Sequence, residues 1–180
     1  MKYVVTGGAG FIGSNITRKL VDRGDDVTVI DNLNTGKMKN LQVVSNKINF
    51  VKGDILNINL LKEITKNVNG VFHQAALASV QDSFKYHDQY EKVNVCGTEN
   101  IFKLAKENSF KVVYASSSSI YGNPKRIPIK ESDEKNPINP YAETKVKKEE
   151  LAIEYAKNGI SVIGLRYFNV FGKGQSNEYF

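Results

Sequence analysis

The chain has 180 residues, 41% hydrophobic and 24% charged, which is enough to bury a sizeable core within a single domain. No apolar stretch is long enough to span a membrane, and the N-terminus enters a strand directly instead of a signal peptide, so a cytoplasmic protein is expected. The net charge of +6 comes from scattered lysines, with Lys145, Lys147 and Lys148 the one tight group; it reads as solvated surface and not as a nucleic-acid footprint.

In chain order, the β-branched run Lys2–Thr6 suits a buried parallel strand, and Ile16, Leu20 and Val21 at helical spacing predict a helix over 14–23. Between them lies Gly7-Gly8-Ala9-Gly10-Phe11-Ile12-Gly13. Gly8, Gly10 and Gly13 match G-x-G-x-x-G, and Gly7, Gly10 and Gly13 match the G-x-x-G-x-x-G variant. Lacking Cβ atoms, these residues let the backbone turn tightly and approach a pyrophosphate, whose charge is met by free N–H groups at the helix start. Gly7, Gly10, Phe11, Ile12 and Gly13 are therefore the candidate phosphate cradle. The second strand, 26–30, ends in Asp31, 18 residues past Gly13, where an acid hydrogen-bonds an adenosine ribose diol. Asp31-Asn32 with no arginine nearby favours NAD over NADP, because a 2′-phosphate would face a carboxylate; Lys37 is the one cation that softens this preference.

Further strands are expected at Ile48–Lys52, Gly70–His73, 111–116 and 160–166, and further helices near 59–65, 93–108 and 141–157, the last stopped by Asn158-Gly159. Cys96, the single cysteine, excludes an internal disulfide and a cysteine-rich metal site; in a predicted helix it reads as an inert buried thiol. No metal site is expected. The alternation implies an α/β fold, a doubly wound parallel sheet of the Rossmann type occupying 1–180, with ligands beyond the carboxyl ends of the strands. Asp31, Gly53-Asp54-Ile55, Gln74-Ala75-Ala76, Ser116 to Ser119 and Asn169 fall there. Asp54 either caps the next helix or accepts from an adenine amino group, and the small Ala75 and Ala76 let the chain skirt a flat cofactor.

Tyr141 and Lys145 open a sustained helical pattern, so the two side chains share a face and the ammonium favours the phenolate of a base. With nine tyrosines the spacing also arises by chance, as in Tyr121 to Lys125, but Gly122 and Pro124 disfavour a helix there. The plain alternative for Tyr141 and Lys145 is a surface pair worth about 0.3 kcal/mol. A serine run, Ser116-Ser117-Ser118-Ser119, follows the fifth strand and places a hydroxyl where a reacting oxygen would lie.

Together these motifs resemble the extended short-chain dehydrogenase/reductase family, in particular its nucleotide-sugar epimerases of the UDP-glucose 4-epimerase kind. The likeness runs through the glycine turn, Asp31-Asn32-Leu33, Gly53-Asp54-Ile55, His73-Gln74-Ala75-Ala76, Asn94-Val95-Cys96-Gly97-Thr98, the serine run to Tyr121-Gly122, Tyr141 to Lys145, and Arg166-Tyr167-Phe168-Asn169-Val170-Phe171-Gly172. The resemblance implies that Tyr141 is the base, Ser117 the catalytic hydroxyl and Lys145 the holder of the nicotinamide ribose. By the same likeness Asn94 supports the cofactor, Phe168 lines the nicotinamide pocket, Asn32, Asp54, Ile55, Ala75 and Ala76 line the NAD groove, and Ser79 and Asn169 join Ser117 on the substrate. The implied reaction is C4 epimerisation of a UDP-sugar, either hexose, N-acetylhexosamine or hexuronate, through a 4-keto intermediate with NAD retained. Related 4,6-dehydratases carry Thr-Asp-Glu where this chain has Ser117-Ser118-Ser119, which disfavours elimination. A non-catalytic dinucleotide-binding protein and a sugar-nucleotide dehydratase or reductase are the alternatives. Members of the family continue past Phe180 into a smaller substrate domain and pair as homodimers through the helices near 93–108 and 141–157. The chain is thus expected to be a fragment or a natural truncation, and to bind NAD better than it turns over.

Overall fold

Runs of valine and isoleucine without alternation form strands buried on both faces, as a sheet covered by helices demands. In the computed structural model, which describes residues 1–175, six strands assemble, the four inner ones buried in this way and the two edge strands only partly covered. They are β1 (Lys2–Thr6), β2 (Asp26–Asp31), β3 (Ile48–Lys52), β4 (Gly70–His73), β5 (Lys111–Ser117) and β6 (Val162–Tyr167). The sheet is parallel throughout, in the order β3-β2-β1-β4-β5-β6. That is the expected doubly wound fold, whose order reverses between β1 and β4 and opens a crevice at their carboxyl ends. The last five residues of the domain expected over 1–180 lie outside the described residues.

Six α-helices follow among the described residues: α1 (Phe11–Asp22), α2 (Ile58–Ile64), α3 (Val80–Lys85), α4 (His87–Tyr90), α5 (Gly97–Asn108) and α6 (Pro140–Lys157). On one face Leu20 of α1 packs with Val5, Val27 and Val29, joined by Leu41 and Val44 from a 3₁₀ segment, Met38–Lys47. On the other, Leu61 of α2, Ile101 and Phe102 of α5 and Ala152 of α6 cover Val4, Ile30, Val71, Val112 and Tyr114. Among the described residues no helix is long and apolar enough to cross a membrane.

Several expectations are corrected. Helix α1 begins at Phe11, not 14, because the glycine turn closes within Gly10 and Gly13 is already helical. Strand β6 runs Val162–Tyr167, since Ile160 is drawn into the core by the backbone bond from its N–H to the Tyr155 carbonyl that ends α6. The helix expected over 93–108 is a π-helical stretch, Glu91–Cys96, running into α5. The wider π turn carries Asn94 fully inward and leaves Cys96 exposed, so the expected buried thiol is on the surface. The helix after β3 is capped by Asn57, whose side chain accepts from Leu60 N, and not by Asp54.

The sheet is unevenly covered. Gly164 lets the Tyr114 ring lie against β6, and the flanking Ile163 and Leu165 point the other way and stand exposed. Phe102 is the opposite case: fully buried, it meets Tyr114 edge-on and Tyr155 at a tilt, with ring centroids 5.6 and 5.7 Å away. Phe102→Ala is expected to lower stability by roughly 3–5 kcal/mol in urea unfolding, because the cavity cannot collapse between sheet and helix.

Candidate functional site

The glycine turn is formed by backbone lying on backbone. Gly7 adopts φ +65, and a Cβ there would meet Ala75 N at 2.7 Å; a Cβ on Gly13 would drive into the Gly7 carbonyl. Helix α1 has Gly10 as its N-cap, with no side-chain cap, and no acid in its first turn, so its N-terminus is left for an anion. The side chains of Phe11 and Ile12 line an apolar groove with Phe72, Tyr167, Val170 and Phe171, so what these two residues offer at the helix start is their backbone. Asp31 is buried, its carboxylate accepting from Ala9 N at 2.9 Å and Leu33 N at 2.8 Å. Each oxygen keeps acceptor capacity for a ribose. The exposed Lys37 is pinned through its backbone N–H to the Ala9 carbonyl. Asn32 donates to Asp54 at 2.9 Å, closing the rim between β2 and β3, and Ile55 packs against Gly97 at the head of α5. These residues fit a dinucleotide: a cradle that any Cβ would fill, an uncapped helix start, and an acid at the end of the second strand.

Tyr141 and Lys145 are positioned by α6, which Asn139 caps by accepting from Ala142 N at 2.8 Å with Pro140 opening the first turn. Lys145 is only 2% exposed. Its Nζ lies 5.2 Å over the Tyr141 ring and donates to the Ala115 carbonyl at 3.2 Å, which excludes the plain surface pair. The chance repeat of the spacing behaves as expected, with Tyr121 buried in a 3₁₀ turn and Lys125 exposed and bound to Glu134. Of the tight lysine group only Lys147 is a surface cation, paired with Glu91; Lys145 and Lys148 are buried, so the solvated reading of that group is corrected. Their i and i+3 spacing puts both on the inner face of the helix.

Ser117 ends β5 and caps the 3₁₀ turn Ser118–Tyr121, its Oγ accepting from Ser119 N at 3.2 Å and from Ser119 Oγ at 2.9 Å. Ser116 faces the other way and donates to Glu149 at 2.6 Å. Glu149 also receives Arg166 and Lys135, each at 2.8 Å. Burial raises this carboxyl, but the bonds from Arg166, Lys135 and Ser116 outweigh that and hold it at about 2.

A hydrogen-bond chain that sequence reasoning missed joins the two halves. His73, fully buried, bonds Thr6 Oγ1 through Nδ1 at 2.7 Å and Thr98 Oγ1 through Nε2 at 2.9 Å. The Thr98 hydroxyl donates to the Asn94 carbonyl, so Nε2 carries the ring proton and Nδ1 accepts from Thr6. Burial, with the Lys148 and Lys145 amines beside it, pushes the imidazole well below its usual range and keeps it neutral. The Asn94 side chain clasps Leu77 N at 2.8 Å and Leu77 O at 3.0 Å and donates to Thr144 Oγ1, which donates to the Tyr141 carbonyl. Asn94 thus ties the loop after Ala75 and Ala76 to α6. The only available signal was the threonines flanking these motifs, and a threonine in a helix is usually mute.

The remaining sequence-derived residues sit farther out. Ser79 caps α3, and its carbonyl accepts from the Tyr90 hydroxyl. Phe168 is 58% exposed with its ring 6.5 Å from Tyr121, and Asn169 is exposed beside it.

Comparison with known proteins places this geometry. The model of the NAD dependent epimerase/dehydratase family matches residues 3–179. A UDP-glucose 4-epimerase of Lactobacillus helveticus is 41% identical over 96% of this chain and 52% of its own length. The solved UDP-N-acetylglucosamine 4-epimerase of Methanobrevibacter ruminantium, in complex with UDP-N-acetylmuramic acid, superposes with a TM-score of 0.93 at 40% identity, over 97% of this chain and 57% of that one. A dTDP-glucose 4,6-dehydratase of Streptomyces venezuelae, with NAD bound, gives 0.94 at 32% identity, over 99% and 59%. The chain therefore spans about half the length of the relatives it matches.

Two outcomes are expected. Gly13→Ala abolishes measurable NAD binding in calorimetry, because the new methyl displaces the Gly7 carbonyl and opens the cradle. For Glu149 the folded value lies below the unfolded one, so its stabilisation is present above pH 4.5 and disappears as pH falls from there toward about 2. Glu149→Gln should be less stable at neutral pH and show a flatter acid limb over that window in denaturant titrations.

Proposed function

The chain belongs to the NAD dependent epimerase/dehydratase family, and from that premise we propose that it is the cofactor-binding and proton-transfer part of an enzyme that epimerises a UDP-sugar at C4. The observation that carries this reading is Lys145. It is buried between the Tyr141 ring and the Ala115 carbonyl, at the end of the strand that delivers Ser117. A lysine taken out of water and set against one phenol is a feature of proton-transfer sites.

Gly7, Gly10, Gly13 and the start of α1 hold the pyrophosphate, Asp31 and Asn32 the adenosine ribose, Asp54 and Ile55 the adenine side, and Ala75 and Ala76 the wall of the groove. Lys145 holds the nicotinamide ribose. Tyr141 takes the proton of the sugar 4-hydroxyl, and Ser117, whose own O–H has no acceptor among the described residues, donates to the same oxygen. Bound against these residues, NAD would supply reversible hydride transfer at C4, through a 4-keto sugar reduced on its other face, and would not be consumed. Tyr141 then gives its proton back to the 4-oxygen. Phe168, Ser79 and Asn169 are assigned to the sugar-nucleotide side. UDP-hexoses and UDP-N-acetylhexosamines are the proposed substrates, with UDP-glucuronate next. The protein is read as a cytoplasmic homodimer joined through the helices near 93–108 and 141–157, with exposed Phe84 and Tyr86 beside them.

The likeness to a 4,6-dehydratase gives a second reading, which Ser118 and Ser119 disfavour because elimination needs an acid and a base in that turn. NAD-loaded protein, with whatever sequence continues past Phe180, is expected to convert UDP-galactose or UDP-N-acetylgalactosamine to the 4-epimer without NADH accumulating. Tyr141→Phe should cut turnover by roughly 10²–10⁴-fold while NAD binding persists. A stable 4-keto-6-deoxy product, or no product from loaded protein, overturns the epimerase reading.

A further inference from the structure

Tyr141, Lys145 and Lys148 stand at i, i+4 and i+7, so all three side chains leave α6 on the face turned to the sheet. Lys145 finds its acceptor in the Ala115 carbonyl. Lys148 finds none: it is wholly buried, and its Nζ lies 5.7 Å over the Tyr114 ring without a hydrogen-bond partner. A polar group buried this way destabilises the fold, and an apolar side chain of the same length would not. Nothing in the packing of α6 asks for an amine here.

Every element packed around it supplies a neutral group, a like charge or, in Glu149, a carboxylate already engaged by other partners. From β4 comes His73, neutral and bonded on both ring nitrogens. From β5 comes its register neighbour Tyr114, whose phenol burial pushes up and keeps protonated. Phe102 of α5 closes the space edge-on to that ring. On α6 itself stand Lys145 and Glu149, and the Glu149 carboxylate is engaged by Arg166, Lys135 and Ser116. Burial, and after it the Lys145 charge, pulls the Lys148 amine well below the ordinary lysine range.

We propose that Lys148 is a positioning residue that acts through Lys145: uncharged, it leaves Lys145 the one cation on the floor of the cleft, and on gaining a proton it repels Lys145 and loosens the hold on the positively charged, oxidised nicotinamide. The preference between oxidised and reduced cofactor then depends on pH. This rests on the cofactor reading given above. An apolar residue at the same place would give a more stable helix and a cleft blind to pH.

The test is calorimetric titration of the whole chain with oxidised NAD and with NADH between roughly pH 6 and 9, as wild type, Lys148→Met and Lys148→Leu, with thermal unfolding of the same samples. In the wild type, affinity for oxidised NAD should weaken as pH is lowered, by up to about tenfold per unit, the limit for one linked proton, while NADH affinity changes little. Both variants should melt higher and lose that slope. A wild-type slope retained in the variants overturns the proposal even if they melt higher, because the amine would then be only a structural burden. Failure of wild type and variants alike to bind either nucleotide overturns the cofactor reading and the proposal with it.

Discussion

Everything in the cleft depends on His73 staying neutral in one tautomer. Thr6 lies in the strand that leads into the glycine turn, Thr98 opens α5, and the imidazole between them accepts from the first and donates to the second. A proton on Nδ1 would turn the Thr6 hydroxyl, 2.7 Å away, from donor to acceptor and strand its own proton in a fully buried place. Full burial prevents this. From Thr98 the bonds continue through Asn94 and Thr144 to the Tyr141 main chain, so the cradle of the dinucleotide and the helix with the phenol are placed by one set of directional contacts.

The same chain explains why a π turn occurs where a plain helix was expected. Asn94 must reach Leu77 on the loop after β4 and Thr144 on α6 together, and one extra residue in the turn brings its amide to both. Cys96 is rotated to the surface as a by-product. Functional geometry here overrides helix regularity, which periodicity assumes.

Legibility in the sequence followed locality. The six strands, the glycine turn, Asp31 at the end of β2 and the Tyr141-to-Lys145 face could be read because each is set by neighbours in sequence: β-branched runs, missing Cβ atoms, a residue one helical turn away. Lys148 and Glu149 could not be read that way. Adjacent and both polar, they resemble any solvated stretch, yet one is buried over Tyr114 and the other anchors Arg166 from β6. Their roles are created by strands more than a dozen residues distant. His73 lies within a motif but its role is not legible there, since its partners are threonines far away in the chain.

Two amines on one buried face also set an electrostatic limit on the cleft. With Lys145 charged, a second ammonium at Lys148 would face it across a low-dielectric space holding no free carboxylate, because Glu149 is committed to Arg166 and Lys135. The site can therefore support one cation easily and a second only at strain. The ligand groups around it divide along the same line. On the cradle side, β1 and β2 are covered on both faces and the turn is held by backbone contacts, so its shape needs nothing further. On the β6 side Phe168 and Asn169 are exposed and Ile163 and Leu165 uncovered, so side chains there have less of the protein behind them. The shape of the dinucleotide cradle is thus fixed by these residues more completely than the β6 side of the cleft.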